Sequence, residues 1–443
     1  MAEALPQAII AQLEAFAADL VTIVKENRGA SLAMYERKML QLGRDYTRKL
    51  LQEAVNANTT RLQAGLCHQQ QPCPSCGQRV KVQSWRARTV TTTSGPITFK
   101  RPWFVCPHCE HGFSPEDRTL GLGPRTRLSE GSREWIVGLG ATTSFAEVAE
   151  WLERLTGLDV SPETIRQQTE CRGDEFEDEQ QRGSEQVSKT QEPAAPVDSA
   201  PGMLVVETDG VMVRYLDGWH EVKLGIAAGH QDGEMVAPSY IAARASADVF
   251  GPRLLAEAAR RGALEIVAWE GPVTQPGLAV LREVVVLGDG ATWIWNLAAE
   301  HFGERTEIVD FYHASEHIWT VARALFGEGT EAAKSWARQR IGKLKEEGVQ
   351  AVQKALAEAR GENPEAAEVL PVERGYFRTN AARMAYPTFR ARGLPIGSGA
   401  VESSAKHLVQ QRMKRPGARW SQPGAQAVLN VRSRMLSGLP LAA

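Results

Sequence analysis

The chain has no uninterrupted apolar run of membrane-spanning length, few cysteines and, from Arg374 onward, almost no acid. The first absence leads to the expectation that no segment crosses a membrane, because a span takes about 20 apolar residues. The N-terminus, Met1-Ala2-Glu3-Ala4, lacks a basic region followed by an apolar core, so no secretory signal is expected. Six cysteines in 443 residues fit a reducing cytoplasm, where they serve as metal ligands or inert thiols rather than disulfides. The third absence is the most informative. The stretch from Arg374 to the C-terminus carries twelve Lys/Arg residues and one carboxylate, Glu402. A surface that basic suits a polyanion. A single acid within it reads as a chemical group set beside a phosphate backbone; the alternative is a solvated basic tail that contains one Glu.

What is present is an ordinary globular composition, 43% hydrophobic and 23% charged, long enough for two to four domains. The net charge of −2 hides segregation: residues 73–133 hold ten Lys/Arg against four acids, and residues 170–192 hold eight acids against three bases. Local fields, not the whole-chain balance, bear on nucleic-acid binding.

Helical stripes over residues 6–26 (Ile9, Leu13, Phe16, Leu20) and from Tyr35 to Leu50 predict a hairpin in a helical N-terminal region, 1–66. Residues 67–125 read as a zinc ribbon. Cys73-Pro74-Ser75-Cys76 and Cys106-Pro107-His108-Cys109 flank strand-like sequence, and four thiolates close a tetrahedral structural zinc site. Cys67 and Cys171 are left over, and the flanking His68, His108 and His111 read as surface residues. The ribbon's Arg79, Lys81, Arg86, Arg88, Lys100 and Arg101 fit a role against DNA. Residues 126–180 are assigned to a helix-turn-helix: Ser144 and Glu147 make a capping box, Gly157 ends the first helix, and Ser161-Pro162 opens the second. Thr164, Arg166 and Gln167 on that second helix are candidates for reading base edges. Residues 181–202 read as a linker, with the acidic stretch before it able to shield basic surfaces.

Beyond residue 202 the texture changes. Strand-like stretches at 203–213, 221–227 and 239–243, a helix at 248–261, a buried strand at 283–288 and another at 306–309 describe a ribonuclease-H-like α/β core in a multidomain α+β chain. The core's first part is 203–326; a helical insertion, 327–389, accounts for the 113 positions between Asp289 and Glu402; the last part, with the basic tail, is 390–443. Asp209, Asp289 and Glu402 come from three elements. Carboxylates so placed suit two hard divalent cations, Mg²⁺ or Mn²⁺, which activate an attacking oxygen and stabilise a leaving one in phosphodiester chemistry. Trp293 and Trp295 read as core, while Trp420 is open between core and base stacking.

Asp209 in Thr208-Asp209-Gly210-Val211, Gly288-Asp289-Gly290-Ala291-Thr292-Trp293, Asp310-Phe311-Tyr312-His313 and Gly397-Ser398-Gly399-Ala400-Val401-Glu402, in this order, resemble bacterial insertion-sequence DDE transposases of the ISKra type. The string Gln411-Arg412-Met413-Lys414-Arg415-Pro416-Gly417-Ala418-Arg419 is similar to that family's tail. The resemblance implies Asp209, Asp289 and Glu402 as the metal-binding catalytic triad, with Asp310 and His313 shaping the core; the other reading of His313 is a histidine hydrogen-bonded at a helix start. It implies double-stranded DNA, as terminal repeats and target, as partner, through Lys406, Arg412, Lys414, Arg415 and Arg419 among others. It also implies a homo-oligomer, no membrane, and a cytoplasmic, nucleoid-associated bacterial protein. A DNA-binding regulator with an inactive core and a structure-specific nuclease that cuts without joining are the alternatives.

Overall fold

A computed structural model describes residues 7–66, 70–124, 126–190, 202–231, 233–261, 265–266, 278–279, 283–360, 364–397 and 399–442, with the backbone alone at 58–66, 188–190, 265–266 and 278–279. Cys67, His68, Ser398 and residues 191–201 of the expected linker lie outside them. The chain is mixed α+β and divides into two compact units, one of residues 1–168 with 442–443, the other of residues 169–441.

The first unit opens with the expected hairpin of α1 (Gln7–Glu26) and α2 (Leu32–Leu66). Phe16 meets Tyr46 edge-on at 5.2 Å, and the Tyr46 hydroxyl donates to Asp19 at 2.6 Å. No α1 residue is buried. Contrary to the expectation from the sequence, α1 is long and apolar enough to cross a membrane, with a mean hydropathy of 1.5. Its alanines extend the apolar surface well beyond the stripe that the larger residues mark.

Strands β1 (Val82–Thr92) and β2 (Gly95–Val105) form an antiparallel hairpin, and β3 (Gly112–Phe113) pairs with the end of β2. Gln52 of α2 treats the hairpin edge as a strand would: its amide donates to the Thr98 carbonyl at 2.5 Å and accepts from the Thr98 N–H at 2.6 Å. Three helices follow: α3 (Glu130–Thr142), α4 (Phe145–Thr156) and α5 (Pro162–Thr190). The Ser144–Glu147 capping box forms, and Gly157 takes φ 73° at the end of α4. Ile136, Val148, Leu152, Leu158, Val160 and Ile165 close a small core among them. Two helices on either side of Gly157 occupy the stretch that the sequence reading assigns to a helix-turn-helix.

One boundary moves. The sequence reading begins a linker at residue 181, yet α5 continues unbroken through Thr190. Its later turns are anchored within the second unit. Glu177 accepts from Arg253 at 2.8 Å and from Asn430 at 2.7 Å, and Arg434 reaches Glu179 at 2.5 Å. The acidic stretch is thus paired into its own unit rather than free to shield DNA surfaces. At Gly173 the helix passes so close to its neighbour that an added Cβ would lie 2.1 Å from the Ala427 carbonyl oxygen.

The second unit is built on β4 (Met203–Tyr215), β5 (Gly218–Gln231), β6 (Glu234–Ala243), β7 (Glu283–Gly288) and β8 (Thr306–Val309). The sheet order is β8-β7-β4-β5-β6. The first three strands in sequence are antiparallel neighbours; β7 and β8 add in parallel on the other side of β4. Helices α6 (Ala247–Arg260) and α7 (Thr292–His301) supply the crossovers.

After β8 come α8 (Phe311–Phe326), α9 (Glu331–Glu346), α10 (Val349–Glu358) and α11 (Pro364–Thr379). The stretch read as an insertion is helical, but it has no separate core. Ala337, Leu344, Val352, Leu370, Phe377 and Tyr386 join the same apolar cluster as Val285, Leu287 and Ile308 of the sheet. The chain closes with α12 (Gly399–Ser404), which runs through a π-helical turn at Ala405–Gln410 and on to Met413, and with α13 (Gln422–Leu436).

Candidate functional site

The two cysteine knuckles fold alike. In each, the first cysteine's N–H bonds to the carbonyl five residues on (Cys73 to Gln78, Cys106 to His111), and the residue four on donates back to that cysteine's carbonyl. That geometry needs a left-handed residue at the fourth position, filled by Gly77 at φ 75° and by Glu110 at φ 57°. The Sγ atoms of Cys73, Cys76, Cys106 and Cys109 all lie within 4.8 Å of one another, with the nearest pairs at 3.5 and 3.6 Å. Thiolates about 2.3 Å from one tetrahedral ion stand about 3.8 Å apart, so the four residues fit a structural metal. Burial opposes ionisation of Cys106, but the N–H groups of Cys109 and His108 and the neighbouring thiols bring it down to about 6.

Two ribbon residues expected to face DNA do not. Arg88 and Arg101 are both 8% exposed and share Asp117, at 2.8 and 2.9 Å. Trp103 carries the Arg86 and Arg101 guanidinium groups over its ring. These cations hold the ribbon to the Pro115–Thr119 turn. Beside them Glu116 is 1% exposed, and neither of its oxygens has a hydrogen-bond partner among the described residues. Burial, together with the charge of Asp117, pushes it up to about 7.

On α5, Glu163 gathers two of the three base-reading candidates. Arg166 donates to it at 2.7 and 2.9 Å and Gln167 at 2.8 Å, which holds Glu163 down at about 2. Thr164 shares a hydrogen bond with Ser161 at 2.9 Å. Base contacts by these side chains would exchange existing partners rather than fill vacant ones.

In the second unit the parallel register decides where the acids stand. Leu287 of β7 pairs with Glu207 of β4, and Gly288 pairs with Val309 of β8. Asp289 and Asp209 each follow the Leu287–Glu207 pair by two residues, and Asp310 directly follows Val309. Three carboxylates therefore gather at one end of three adjacent strands, the carboxyl ends of β7 and β8 and the middle of the longer β4. Such ends are where open α/β sheets place ligands. Glu402 arrives from far along the chain: the N–H of Val401 donates to buried Glu207 at 2.8 Å, and the Phe311 N–H donates to the Ile396 carbonyl at 2.8 Å.

The electrostatics agree. Burial raises the Asp209 carboxyl, the Gly210 N–H opposes this, Asp289 and Glu402 raise it further, and His313 lowers it. Burial also pushes Glu207 up to about 8 against the Val401 hydrogen bond, with Asp310 and Glu402 adding to the rise. The structure thus brings Asp289 and Glu402 each within electrostatic reach of Asp209. They are not packed as tightly as the thiols, which among the described residues are the one group of three or more candidate ligands so closely drawn.

The Asp310–His313 spacing has a local cause. Asp310 caps α8, its side chain accepting from the His313 backbone N–H at 2.6 Å. The imidazole points onward instead: His313 Nε2 lies 3.3 Å from His317 Nε2, and His317 Nδ1 lies 2.7 Å from Glu373. Tyr376 stacks on His317 at 3.7 Å, and its hydroxyl donates to the Asp289 carbonyl at 3.0 Å. Glu373 and Tyr376, both on α11, and Glu207 are the residues that the sequence reading missed. Glu207 had a signal, a carboxylate inside the apolar run Leu204-Val205-Val206-Glu207.

The basic tail needs the largest correction. Arg412 is 4% exposed, with its guanidinium over the Trp420 ring, so it is a packing residue rather than a DNA contact, and Trp420 belongs to the core. Arg432 is likewise buried, held by the Leu408 and His407 carbonyls. Arg383 pairs with Glu307, Arg392 with Glu283 and Arg434 with Glu179. Lys406, Lys414 and Arg419 are exposed, and Arg415 is half-buried. Trp295 is in the core and Trp293 packs against it, as the sequence reading has them.

The chain matches the model of an uncharacterised protein family, UPF0236, over residues 30–223. It is 25% identical over 377 residues to the "UPF0236 protein in vanSb 3'region" of Streptococcus gallolyticus, covering 81% of this chain and 76% of that protein. The stretch matched by the family model takes in the four cysteines, helices α3 to α5 and Asp209, and it stops short of Asp289 and Glu402.

Proposed function

We propose that this chain is a DNA transposase of the DDE type, which binds element ends and carries out metal-dependent strand cleavage followed by strand transfer from the freed 3′-hydroxyl. One observation supports the reading: Asp289 and Glu402, carboxylates from two separate parts of the chain, both lie within electrostatic reach of Asp209 on a mixed sheet. Three antiparallel strands followed by two parallel ones, in the order β8-β7-β4-β5-β6, is the arrangement expected of a ribonuclease-H-like core.

Carboxylate oxygens are the donors that Mg²⁺ and Mn²⁺ prefer. Asp209, Asp289 and Glu402 would hold two such ions, which supply Lewis acidity to the attacking and leaving oxygens of a phosphodiester. The protein's own part is to fix those acids. Glu207 ties the Glu402 helix to β4, while α11 fixes Asp289 through Tyr376. The helix-turn-helix and ribbon would bind the ends, and exposed Lys406, Lys414 and Arg419 the phosphates. A homo-oligomer would hold two ends together, inside a bacterial cell near its DNA.

The test is incubation of the purified protein with DNA carrying the inverted repeats that flank its gene, in Mg²⁺ or Mn²⁺. Cleavage and joined products are expected, both lost in Asp289→Asn with end binding retained. Cutting without joining would instead mark a nuclease. Binding with no cutting by the wild type would mark a regulator.

A further inference from the structure

At the β4–β5 turn the sheet projects a tip beyond its neighbours. Arg214 and Trp219 are cross-strand partners there, and Trp219 is 57% exposed, the most exposed tryptophan among the described residues. The loop after the π-helical segment comes up against this tip: the Leu216 N–H donates to the Trp420 carbonyl at 2.9 Å. Between them is a cavity of about 200 Å³ whose lining includes Trp219, Arg214, Lys414, Arg415 and Arg419, with no acid. Among the described residues Arg214, Lys414 and Arg419 make no ion pair. The one carboxylate on the turn, Asp217, is occupied by Arg244 at 3.0 Å and His220 at 3.1 Å.

We infer that this cavity is a subsite for one unpaired nucleotide of a DNA strand, its base stacked on Trp219 and its phosphates held by Arg214, Lys414 and Arg419. A large aromatic left open to water amid uncompensated cations combines the two features by which proteins hold single strands: a π-face and a positive groove. The volume falls below the roughly 300–1,000 Å³ of sites for drug-sized ligands, and it suits a single planar ring. A paired base hides its faces in the stack, so the ligand must be unpaired.

The subsite is distinct from the acid cluster. Arg214 is five positions past Asp209 on β4, on the order of 16 Å at 3.3 Å per residue, and strand alternation turns it to the opposite face. Lys414 similarly lies twelve positions past Glu402 on one helical run, on the order of 18 Å. The strand that carries Asp209 at its middle and the helical run that carries Glu402 near its start both lead to the pocket at their far ends. The assignment to DNA rests on the proposed function; the pocket's chemistry stands without it.

The experiment uses the full chain, a single-stranded oligodeoxynucleotide bearing 2-aminopurine, the same sequence as duplex, and an RNA counterpart. Binding with quenching is expected for the DNA single strand. Trp219→Ala should weaken it about tenfold and abolish quenching, and Trp219→Phe should restore most of both. Arg214→Glu and Lys414→Glu should each lower the salt slope by about 0.7. Trp219 is a surface residue, so an unchanged circular dichroism spectrum confirms folding. Unaltered binding and quenching in Trp219→Ala, or tighter binding of RNA, would overturn the inference. Trp219-dependent binding by a chain that never cuts DNA would leave this subsite standing and remove the catalytic reading. Cutting together with Trp219-independent binding would do the reverse.

Discussion

The carboxyl of Glu207 accepts a hydrogen bond from the backbone N–H of Val401 at 2.8 Å, across 194 positions of sequence. This single contact fastens the start of the Glu402 helix to the strand that carries Asp209. Burial pushes Glu207 up to about 8, which favours its neutral form and makes glutamine its nearest match. Glu207→Gln should keep near-native stability. Glu207→Leu should lose about 1–3 kcal/mol, the cost of a buried donor without a partner, and should lose metal-dependent cleavage as Glu402 drifts. Chemical denaturation of both variants checks this; equal stability of the two would show that the contact carries nothing.

A second relationship links α11 to the acids. Glu373 is 6% exposed and lies 2.7 Å from His317 Nδ1, which orients the pair His317–His313 beside Asp209. Glu373→Gln should leave DNA binding and fold intact while lowering cleavage on the order of ten- to hundredfold, as removal of an orienting partner around a metal site does. Tyr376→Phe, which removes the bond to the Asp289 carbonyl, should act in the same direction. Single-turnover cleavage against binding affinity separates this from simple destabilisation, which would lower both.

What the sequence made legible follows from range. The cysteine knuckles, the Ser144–Glu147 box and the glycine end of α4 are set by spacings of a few residues, and local spacing is written in the chain. Asp289 and Glu402 stood out because each sits in a short string of unusual composition at an element boundary, and Asp209 because it interrupts an apolar strand. Glu373 was not: its partner is 56 positions away, and on its own helix it is one more acid. The later turns of α5 read as linker because what anchors them is tertiary: Val187 is buried in the apolar cluster of the sheet, a contact that local helix propensity does not announce. The basic tail misled for the same reason. Arg412 and Arg432 count as surface charge in a composition, whereas packing over Trp420 and the carbonyls at the π-helical turn makes them interior.

The two knuckles carry different residues at their left-handed position, and that difference is testable. Glu110 adopts φ 57° where its counterpart is Gly77. A non-glycine residue held there costs about 1 kcal/mol. Glu110→Gly should raise the ribbon's stability by that order without altering metal content. Cys106→Ser should do the opposite, lowering bound zinc and unfolding the ribbon, because ligation and folding are coupled in such sites. Zinc analysis with thermal melts, before and after a chelator, decides both; full zinc content in Cys106→Ser would refute the tetrathiolate site.

Glu116 gives the ribbon a pH dependence of definite sign. Its folded value, about 7, lies above its ordinary 4.5, so between those limits the folded state binds more protons than the unfolded one. Stability from this group is therefore greatest below about pH 4.5, declines as the pH rises through that window, and is fully lost above 7. Asp117, raised by burial against Arg101 and Arg88, acts in the same direction. Glu116→Gln removes the charge that burial penalises. The variant should exceed the wild type by on the order of 2 kcal/mol at pH 8 and match it near pH 4, below both limits. Denaturant midpoints measured across that range test it. A constant gap between the two proteins at every pH would assign the effect to packing rather than to ionisation.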